Sequence, residues 1–431
     1  MITNTRPIRL FLAGTVCASL GWVTQPVPPV NAATLIVTTT ADELNVDGDC
    51  SLREAIIAAN TDTAIDACGA GNGVDVITLP AGIYTLNLIG ANEEAAATGD
   101  LDLLQPVSLV GAGMHTTIVD GAASDRVVHV QAEGVGLTGL TIRNGSSGGF
   151  SGAGIYIVDG SLTLSEVAVV DNSGNTAGIH VGLDGALTVH DSLIARNGGA
   201  SAGGLFVTSG AQARLERTLI ADNTVSFDGA AINTRGNLII VNSTITGNIA
   251  NTDGGGLAVP DGTVQMFNVT VTANVADNSG TGGDGGGVAV TATGVVTATN
   301  SLIGGNVDLS ASGNVFTDCL GPLVSGGHTL LQSPTGCAFT GGTGSLIGID
   351  PMLGALAANA GPTDTHALLA GSPAIDAGDP AGCASPDLTR LWVDQRGFAR
   401  VTRCDIGAYE TGSAGAPRWL WLPELANAAL P

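Results

Sequence analysis

The segment ALTVHDSLIARNGGASAGGLFVTSG, residues 186–210, contains the pattern that decides the fold. It consists of an alternating apolar run, an asparagine, a glycine-rich stretch and a second short apolar run. Four flanking segments repeat this order, at 161–185, 211–236, 237–262 and 263–294. Such a period is typical of repeat architectures.

Alignment of the repeats on their shared asparagine produces three apolar columns, at the positions three, eight and ten residues before it. The shared residue is Asn172, Asn197, Asn223, Asn248, Asn274 and Asn306. Apolar alternation with period two predicts strands with one buried face. A unit of about 25 residues cannot bury that face alone and must stack on copies of itself.

We therefore predict an all-β fold, a right-handed parallel β-helix (solenoid) whose coils stack ~4.8 Å apart. Equivalent residues then lie above one another, and the asparagines are expected to form an amide ladder in left-handed turns. We expect the coils to extend over about residues 75–376. The glycine and β-branched content excludes a helical solenoid, and the period is short for a propeller blade.

The segment GDCSLREAIIAAN, residues 48–60, gives a clear helix signal. Ser51 and Glu54 match an S-x-x-E capping box, which predicts a helix that begins at Leu52. The apolar face of this short helix suits a cap over the open N-terminal edge of the β-helix. The alternative is an active-site helix.

The composition indicates an acidic, exported protein. A formal net charge of −24 over 431 residues argues against nucleic acid or an anionic membrane as partner. Residues 1–32 have the basic start, apolar stretch and small-residue cleavage site of a secretory signal. Lipidation at Cys17 is disfavoured because the preceding residue, Val16, is large. We expect a secreted or cell-surface protein without a membrane span after signal removal.

Six cysteines remain outside the signal, which suggests disulfides in an exported chain. Six cysteines allow 15 connectivities, so a sequence-local pairing is inferred from proximity alone. The metal alternative is weak because no pair has C-x-x-C spacing. The expected pairs are Cys50–Cys68, Cys319–Cys337 and Cys383–Cys404.

Three stretches resemble known families. CSLREAIIAAN at 50–60, with Cys68 and LPAGIYTL at 79–86, resembles the CSLREA-type N-terminal region of exported bacterial proteins. The repeats resemble the right-handed β-helix repeats of pectate-lyase-like and polymorphic outer-membrane proteins. The segments at 348–378 and 394–410 are similar to the choice-of-anchor Q domain. This resemblance implies the fold and surface exposure, and it does not imply a catalytic activity.

These features predict five consecutive regions. They are a signal peptide at 1–32, a CSLREA-type cap at 33–74, the β-helix at 75–320, terminal coils with the choice-of-anchor Q-like region at 321–411, and a C-terminal tail at 412–431.

The position six residues before the ladder asparagine carries the candidate catalytic residues Glu166, Asp191 and Arg217. Residues one coil apart lie ~5 Å apart, so Glu166 and Asp191 are placed to form a carboxylate pair. Such a pair could bind Ca²⁺ or act as acid and base on a glycoside. The alternative is a solvated charge ladder of little energetic value.

A second column, Tyr156, His180 and Phe206, alternates with inward residues and should point outward. An exposed aromatic strip is a usual surface for a sugar or an apolar partner, so these residues are the candidate ligand-binding site. The alternatives are a stacking ladder that rigidifies the sheet, or cover by the loop around Phe150.

Two loops concentrate aspartate with glycine, at 42–49 and 277–285. The first supplies the candidate metal ligands Asp42, Asp47 and Asp49, and Ca²⁺ is the one cofactor that these loops suggest. Neither loop has full EF-hand spacing, and ordinary turn chemistry explains both equally well.

Two functions remain open. The first is a non-catalytic secreted or cell-surface protein for adhesion or for binding glycans or surface partners. The alternative is a polysaccharide lyase or glycoside hydrolase of the pectate-lyase-like superfamily, which the fold allows without implying it. The repeats contain no tryptophan, which disfavours a sugar cleft there.

Overall fold

The computed structural model describes residues 32–412, apart from residues 92, 281, 312–314, 388 and 402 and the side chains of residues 148–151. Nearly all of the expected signal peptide and C-terminal tail, and Cys17, lie outside the described residues, as does the side chain of Phe150. Within the described part the chain is an all-β parallel solenoid with one short α-helix, so the predicted fold class is confirmed.

The coils contribute strands to four parallel stacks, which we call sheets 1 to 4 in the order in which a coil meets them. Sheet 1 contains Thr34–Ile36, Asp75–Leu79, Val107–Gly111, Val135–Thr138, Ser161–Ser165, Ala186–His190, Gln212–Glu216, Asn237–Val241, Thr263–Phe267, Val295–Thr299, Cys319–Gly327 and Cys337–Gly341. Sheet 2 contains Gly82–Thr85, Thr117–Asp120, Thr141–Arg143, Ala168–Val170, Leu193–Ala195, Leu219–Ala221, Thr244–Thr246, Thr270–Thr272, Leu302–Ile303, Leu330–Leu331 and Leu346–Ile347.

The remaining two sheets complete each coil. Sheet 3 contains Ser146–Ser151, Ser173–Thr176, Gly198–Ala202, Thr224–Val225, Ile249–Ala250, Val275–Ala276 and Val307–Asp308. Sheet 4 contains Leu101–Leu103, Val128–Val130, Ile155–Ile157, Ile179–Val181, Leu205–Val207, Ile232–Thr234, Leu257–Val259 and Val288–Val290. Sheets 1 and 4 join through the long strand Cys319–Gly327.

The interior of the solenoid is a continuous apolar core formed by the inward side chains of successive coils. Ile220 is fully buried and lies in register between Ile194 and Ile245. On sheet 1, Leu162 is buried whereas its neighbour Thr163 is exposed. The predicted inward columns are therefore confirmed, and each coil is stabilised by apolar contacts with the coils on both sides.

The asparagine ladder follows the turn between sheets 2 and 3. From Asn172 to Asn306, each side-chain Nδ2 donates to the Oδ1 of the next asparagine over 2.8–3.0 Å. The left-handed backbone conformation was expected at these asparagines, but it lies one residue earlier, at Asp171, Arg196 and Asp222. The ladder asparagines do not have positive φ. The hydrogen bonds between their side-chain amides hold them in the column.

The solenoid begins before the helix. Strand Thr34–Ile36 pairs with Asp75–Leu79, so the parallel stack starts earlier than the predicted residue 75. Helix α1, Leu52–Thr61, is inserted between these two strands, and its apolar side packs into the core. The predicted capping box is present, since the Ser51 hydroxyl accepts the N–H of Glu54 and the Glu54 carboxylate accepts the N–H of Ser51.

The C-terminal part departs from the stack. Its last parallel strand is Leu346–Ile347, and an antiparallel hairpin of Leu353–Ala357 and Thr365–Leu368 follows. The expectation of coils to about residue 376 was therefore wrong. Beyond the hairpin, the chain runs back along the turn between sheets 1 and 2. There it is hydrogen-bonded to Asn242, Asn268 and Asn300. These bonds hold the segment against the side of the solenoid, so it adds no further coil.

The predicted sequence-local disulfide bonds are present in the structure. They join Cys50 to Cys68, Cys319 to Cys337, and Cys383 to Cys404. The first holds the start of α1 to the loop that follows this helix, and the last closes the returning C-terminal segment.

Candidate functional site

The column that holds the predicted catalytic residues is a turn between sheets 1 and 2. Its members in six successive coils all have positive φ, between 45° and 55°. Among residues with a side chain, Asn and Asp tolerate this left-handed conformation well, so backbone geometry explains four of the six members but not Glu166 and Arg217. The six members are Glu166, Asp191, Arg217, Asn242, Asn268 and Asn300.

Arg217 forms an ion pair with Asp191, the residue whose carboxylate was expected to pair with Glu166. Its Nε and Nη2 donate to the two oxygens of Asp191 over 2.8 Å each, and its Nη1 donates to Glu216 over 2.5 Å. The Arg217 side chain is only 13% exposed, so this column is not the fully solvated ladder of the alternative interpretation. Glu166 itself is exposed. The structure thus shows a partly buried bidentate ion pair in place of an acid–base pair.

The candidate binding strip points away from the core but is not an exposed surface. His180 is only 7% exposed, and Tyr156 and Phe206 are half-buried. The His180 ring makes edge contacts with both neighbours, at centroid distances of 5.1 and 5.0 Å. Burial lowers the pKa of His180 to about 4. The expectation of an exposed strip was therefore wrong for His180, because adjacent coils and the preceding turn cover its ring, and the geometry favours the stacking-ladder alternative.

This outward column of sheet 4 continues toward the N-terminus into two residues with polar side chains, which the repeat pattern does not reveal as a cluster. The next two members are His129 and Asp102, paired in register with Tyr156 and with each other. His129 Nδ1 lies 3.0 Å from Asp102 Oδ1 and 3.3 Å from Glu94 Oε2. Beside them, Arg126 lies over the Tyr156 ring and bonds to Asp100, whose pKa burial raises to about 6.

The first acidic loop is divided between two roles. Asp42, one of the three candidate metal ligands, accepts hydrogen bonds from the fully buried Arg53 and from the backbone of Leu88. Glu43 takes its place in the group with Asp47 and Asp49. Desolvation, followed by the charge of Asp47, raises the pKa values of Glu43 and Asp49.

The second acidic loop is turn structure. The Asp277 carboxylate accepts the N–H of Gly282, and the Asp253 carboxylate accepts the N–H of Asp284. Burial raises the pKa values of Asp253 and Asp284. The first bond lies within the loop, and the second joins the loop to the preceding coil.

The CSLREA-type motif and the choice-of-anchor Q-like motif each contain a buried arginine that is bonded to neighbouring segments. Arg53 donates to the carbonyl oxygens of Ala96 and Gly99, which fixes the loop against α1. In the C-terminal motif, the buried Arg400 bonds to Glu410 and, across the coils, to Asn242. A motif whose charged residues are buried and paired in this way is explained by folding, because an unpaired buried charge would be costly.

A shallow groove crosses the coils on sheet 3. Its volume is about 370 Å³. It passes over five successive coils, a length of about 19 Å at the strand spacing. Its lining residues are Ser173, Gly198, Gly199, Thr224, Val225, Ser226, Ile249, Asn251 and Asn278.

Phe227 directly follows the groove residue Ser226 and is 58% exposed. Its backbone N–H donates to the carbonyl of Ala200 on the preceding coil, which fixes the position of this aromatic residue. The sequence analysis missed it because it lies outside the repeating columns. Its signal was its break in the pattern, an aromatic residue in the segment SFDG where neighbouring repeats have small residues.

No helix in the described part of the chain has both the length and the apolar character that crossing a membrane requires.

No curated protein matches the sequence significantly. The family described as the right-handed β-helix region matches residues 126–326. The crystal structure of pectate lyase Pel9A superimposes with a TM-score of 0.54 and 15% sequence identity, over 89% of this chain and 97% of that chain. The chain thus has a right-handed parallel β-helix of the kind found in that pectate lyase, a likeness of fold alone.

Proposed function

We propose that this protein is an extracellular binding protein that holds an extended, uncharged glycan in the groove of sheet 3. The chemistry of the groove walls carries this proposal. They consist of hydroxyl, amide, glycine and small apolar groups, and none of the nine lining residues is ionisable. Such walls can hydrogen-bond sugar hydroxyls and offer no side chain for acid–base or nucleophilic chemistry.

The shape of the groove supports a linear ligand. It runs along the stacking direction of the coils, so each additional coil adds a similar contact for a repeating polymer. Phe227 beside Ser226 provides an exposed aromatic face on which a sugar ring can pack. A neutral ligand is favoured because a chain of net charge −24 repels a polyanion.

The cellular location belongs to the same proposal. Three disulfide bonds suit an oxidising compartment. The CSLREA-type and choice-of-anchor Q-like motifs suggest an exported bacterial surface protein with a cap at 33–74 and a terminal region at 321–411. Burial of Arg53 and Arg400 supports structural roles for both motifs.

The experiment is a polysaccharide array followed by affinity measurement on each ligand found. Thr224→Arg places a long side chain in the groove from an exposed position, and we expect it to abolish binding. Phe227→Ala should weaken binding about tenfold, or about 1.4 kcal/mol. Thr163→Arg, on an exposed strand position of sheet 1, is the matched control and should bind like the wild type.

Assays of new reducing ends and of unsaturated products distinguish binding from catalysis. Release of either product by the wild-type protein would contradict the non-catalytic proposal and support the lyase or hydrolase alternative. Unchanged affinity in Thr224→Arg would place the ligand elsewhere.

A further inference from the structure

We propose that Glu94, Asp102 and His129 bind one divalent transition-metal cation of the Zn²⁺ class at the N-terminal end of the outward column of sheet 4. One ligand atom from each of the three side chains lies within 4.8 Å of the others. This site is separate from the groove on sheet 3 and does not depend on the proposed glycan binding.

The geometry around His129 suits a cation because three polar side-chain atoms, two of them carboxylate oxygens, converge on its Nδ1. The Nδ1 atom faces Asp102 Oδ1 at 3.0 Å, Glu94 Oε2 at 3.3 Å and Gln131 Nε2 at 3.2 Å. A protonated Nδ1 donates to one carboxylate and faces the Gln131 amino group as a second donor. An unprotonated Nδ1 accepts from Gln131 and then faces two carboxylates with its lone pair. In the absence of an ion, the Gln131 amino group donates to Glu94 Oε2. A cation among these atoms is bound by both carboxylates and by the unprotonated Nδ1 together.

The charge at the site fits a dication. Asp102 is fully buried, and its other oxygen accepts the N–H of Ala96. The neighbouring cation, Arg126, is bonded to Asp100 through its Nε. A buried carboxylate normally requires a charged partner. Asp102 and Glu94 together contribute two negative charges that a divalent cation neutralises.

Asp102 and His129 are held in place by contacts that do not involve an ion. Asp102 lies on a strand that α1 fixes, since Asn60 bonds to the backbone of Asp102 and Leu104. The His129 ring is stacked on Tyr156 at 5.4 Å, with 5° between the planes. Rigid support of this kind keeps the coordinating side chains in the geometry that a metal requires.

The donor set selects the class of metal. Two carboxylates and one imidazole suit Zn²⁺ and related ions, whereas Ca²⁺ prefers oxygen ligands alone. Gln131 supplies a fourth group, because a 180° rotation of its amide puts the oxygen where the nitrogen now lies. Glu94 is 60% exposed, so the ion can enter from solvent.

The test uses chelator-treated full-length protein titrated with Zn²⁺ and, separately, with Ca²⁺. We expect one tight Zn²⁺ per chain and a raised melting temperature. Glu94→Gln, at an exposed position that folding does not require, should weaken Zn²⁺ affinity by at least about tenfold. Glu133→Gln, also exposed, is the matched control and should bind as the wild type.

His129→Phe tests the buried ligand, since Phe206 already occupies the same column and the ring should fit. This variant should lose the site while retaining a β-sheet circular dichroism spectrum. Equal Zn²⁺ binding by the wild type, Glu94→Gln and His129→Phe would overturn the proposal. Absence of stoichiometric Zn²⁺ binding by the wild type, or preference for Ca²⁺ over Zn²⁺, would overturn it as well.

Discussion

The side-chain amide of Asn306 donates to Asp318 Oδ1 over 2.9 Å, and this bond ends the asparagine ladder with a carboxylate. The backbone N–H of Asn306 reaches the same oxygen, and the N–H of Ser333 donates to Oδ2 over 2.7 Å. All ladder bonds point in one direction, so the last acceptor receives the donors of Asn306 on one oxygen. Its other oxygen must accept the N–H of Ser333. A carboxylate meets this requirement, and an asparagine does not.

The first prediction concerns this ladder end. Asp318→Asn keeps the size and shape of the side chain but turns an amino group toward either Ser333 or Asn306. We expect a loss of about 1–3 kcal/mol in the free energy of unfolding, measured by chemical denaturation. Asp159→Asn, at an exposed turn, is the control and should change little. A stable Asp318→Asn variant would mean that the carboxylate is not needed as a double acceptor.

The middle of the ladder gives a second prediction. Asn223→Leu removes the oxygen that accepts both the backbone and the side-chain N–H of Asn197. The buried backbone N–H of Asn197 is then left without a partner, and its Nδ2 keeps only the bond to the carbonyl of Val169. The free energy of unfolding should therefore fall by about 3 kcal/mol or more. Asn175→Leu changes an exposed asparagine on the same sheet two coils earlier and should cost far less. Similar melting temperatures for the two variants would exclude an energetic role for the ladder.

The third prediction compares inward and turn columns. Ile220→Asp places a carboxylate in the fully buried column between Ile194 and Ile245, and we expect a loss of several kcal/mol or failure to fold. Arg217→Gln removes the ion pair with Asp191 but keeps a polar side chain at the partly exposed turn. Its loss in thermal stability should be clearly smaller. Equal losses would contradict the assigned directions of the two columns.

The fold was predictable because it depends on periodicity, which a sequence displays directly. Inward columns such as that of Ile220 need only alternation and the repeated asparagine on which the coils align. The ladder was predictable for the same reason. Its turn geometry was misassigned by one residue, because Asn172 and Asp171 are both residue types that favour turns and composition does not separate them.

The sites were harder to predict because they depend on contacts between columns. The sequence shows that His180 points away from the core but not that neighbouring atoms cover its ring. Asp191 was found, yet its bidentate bond with Arg217 depends on the length and direction of the arginine side chain. The cluster at His129 was missed because Glu94 comes from an irregular loop, 35 residues earlier in the chain, that no repeat relates to the sheet.

The last prediction concerns the pH dependence of stability. His180 has a pKa of about 4 in the folded protein, lowered by burial from its ordinary value of 6.5. The unfolded chain therefore binds a proton at this residue more readily than the folded chain does. Its contribution to stability is fully present above about pH 6.5 and is lost as the pH falls toward 4. The loss reaches at most about 3 kcal/mol, which is the size of the pKa difference in free energy.

His180→Phe removes this contribution, and the Phe206 ring one coil away shows that an aromatic side chain fits the column. The free energy of unfolding of this variant should fall less between pH 6.5 and 4 than that of the wild type. Burial also lowers the pKa values of His190 and His366, so the difference between variant and wild type is the quantity to measure. The exposed His115 gives the control, and His115→Gln should retain the wild-type slope. Parallel pH profiles for His180→Phe and the wild type would mean that the His180 ring is accessible to protons in the folded protein, and that the strip is more open than its burial indicates.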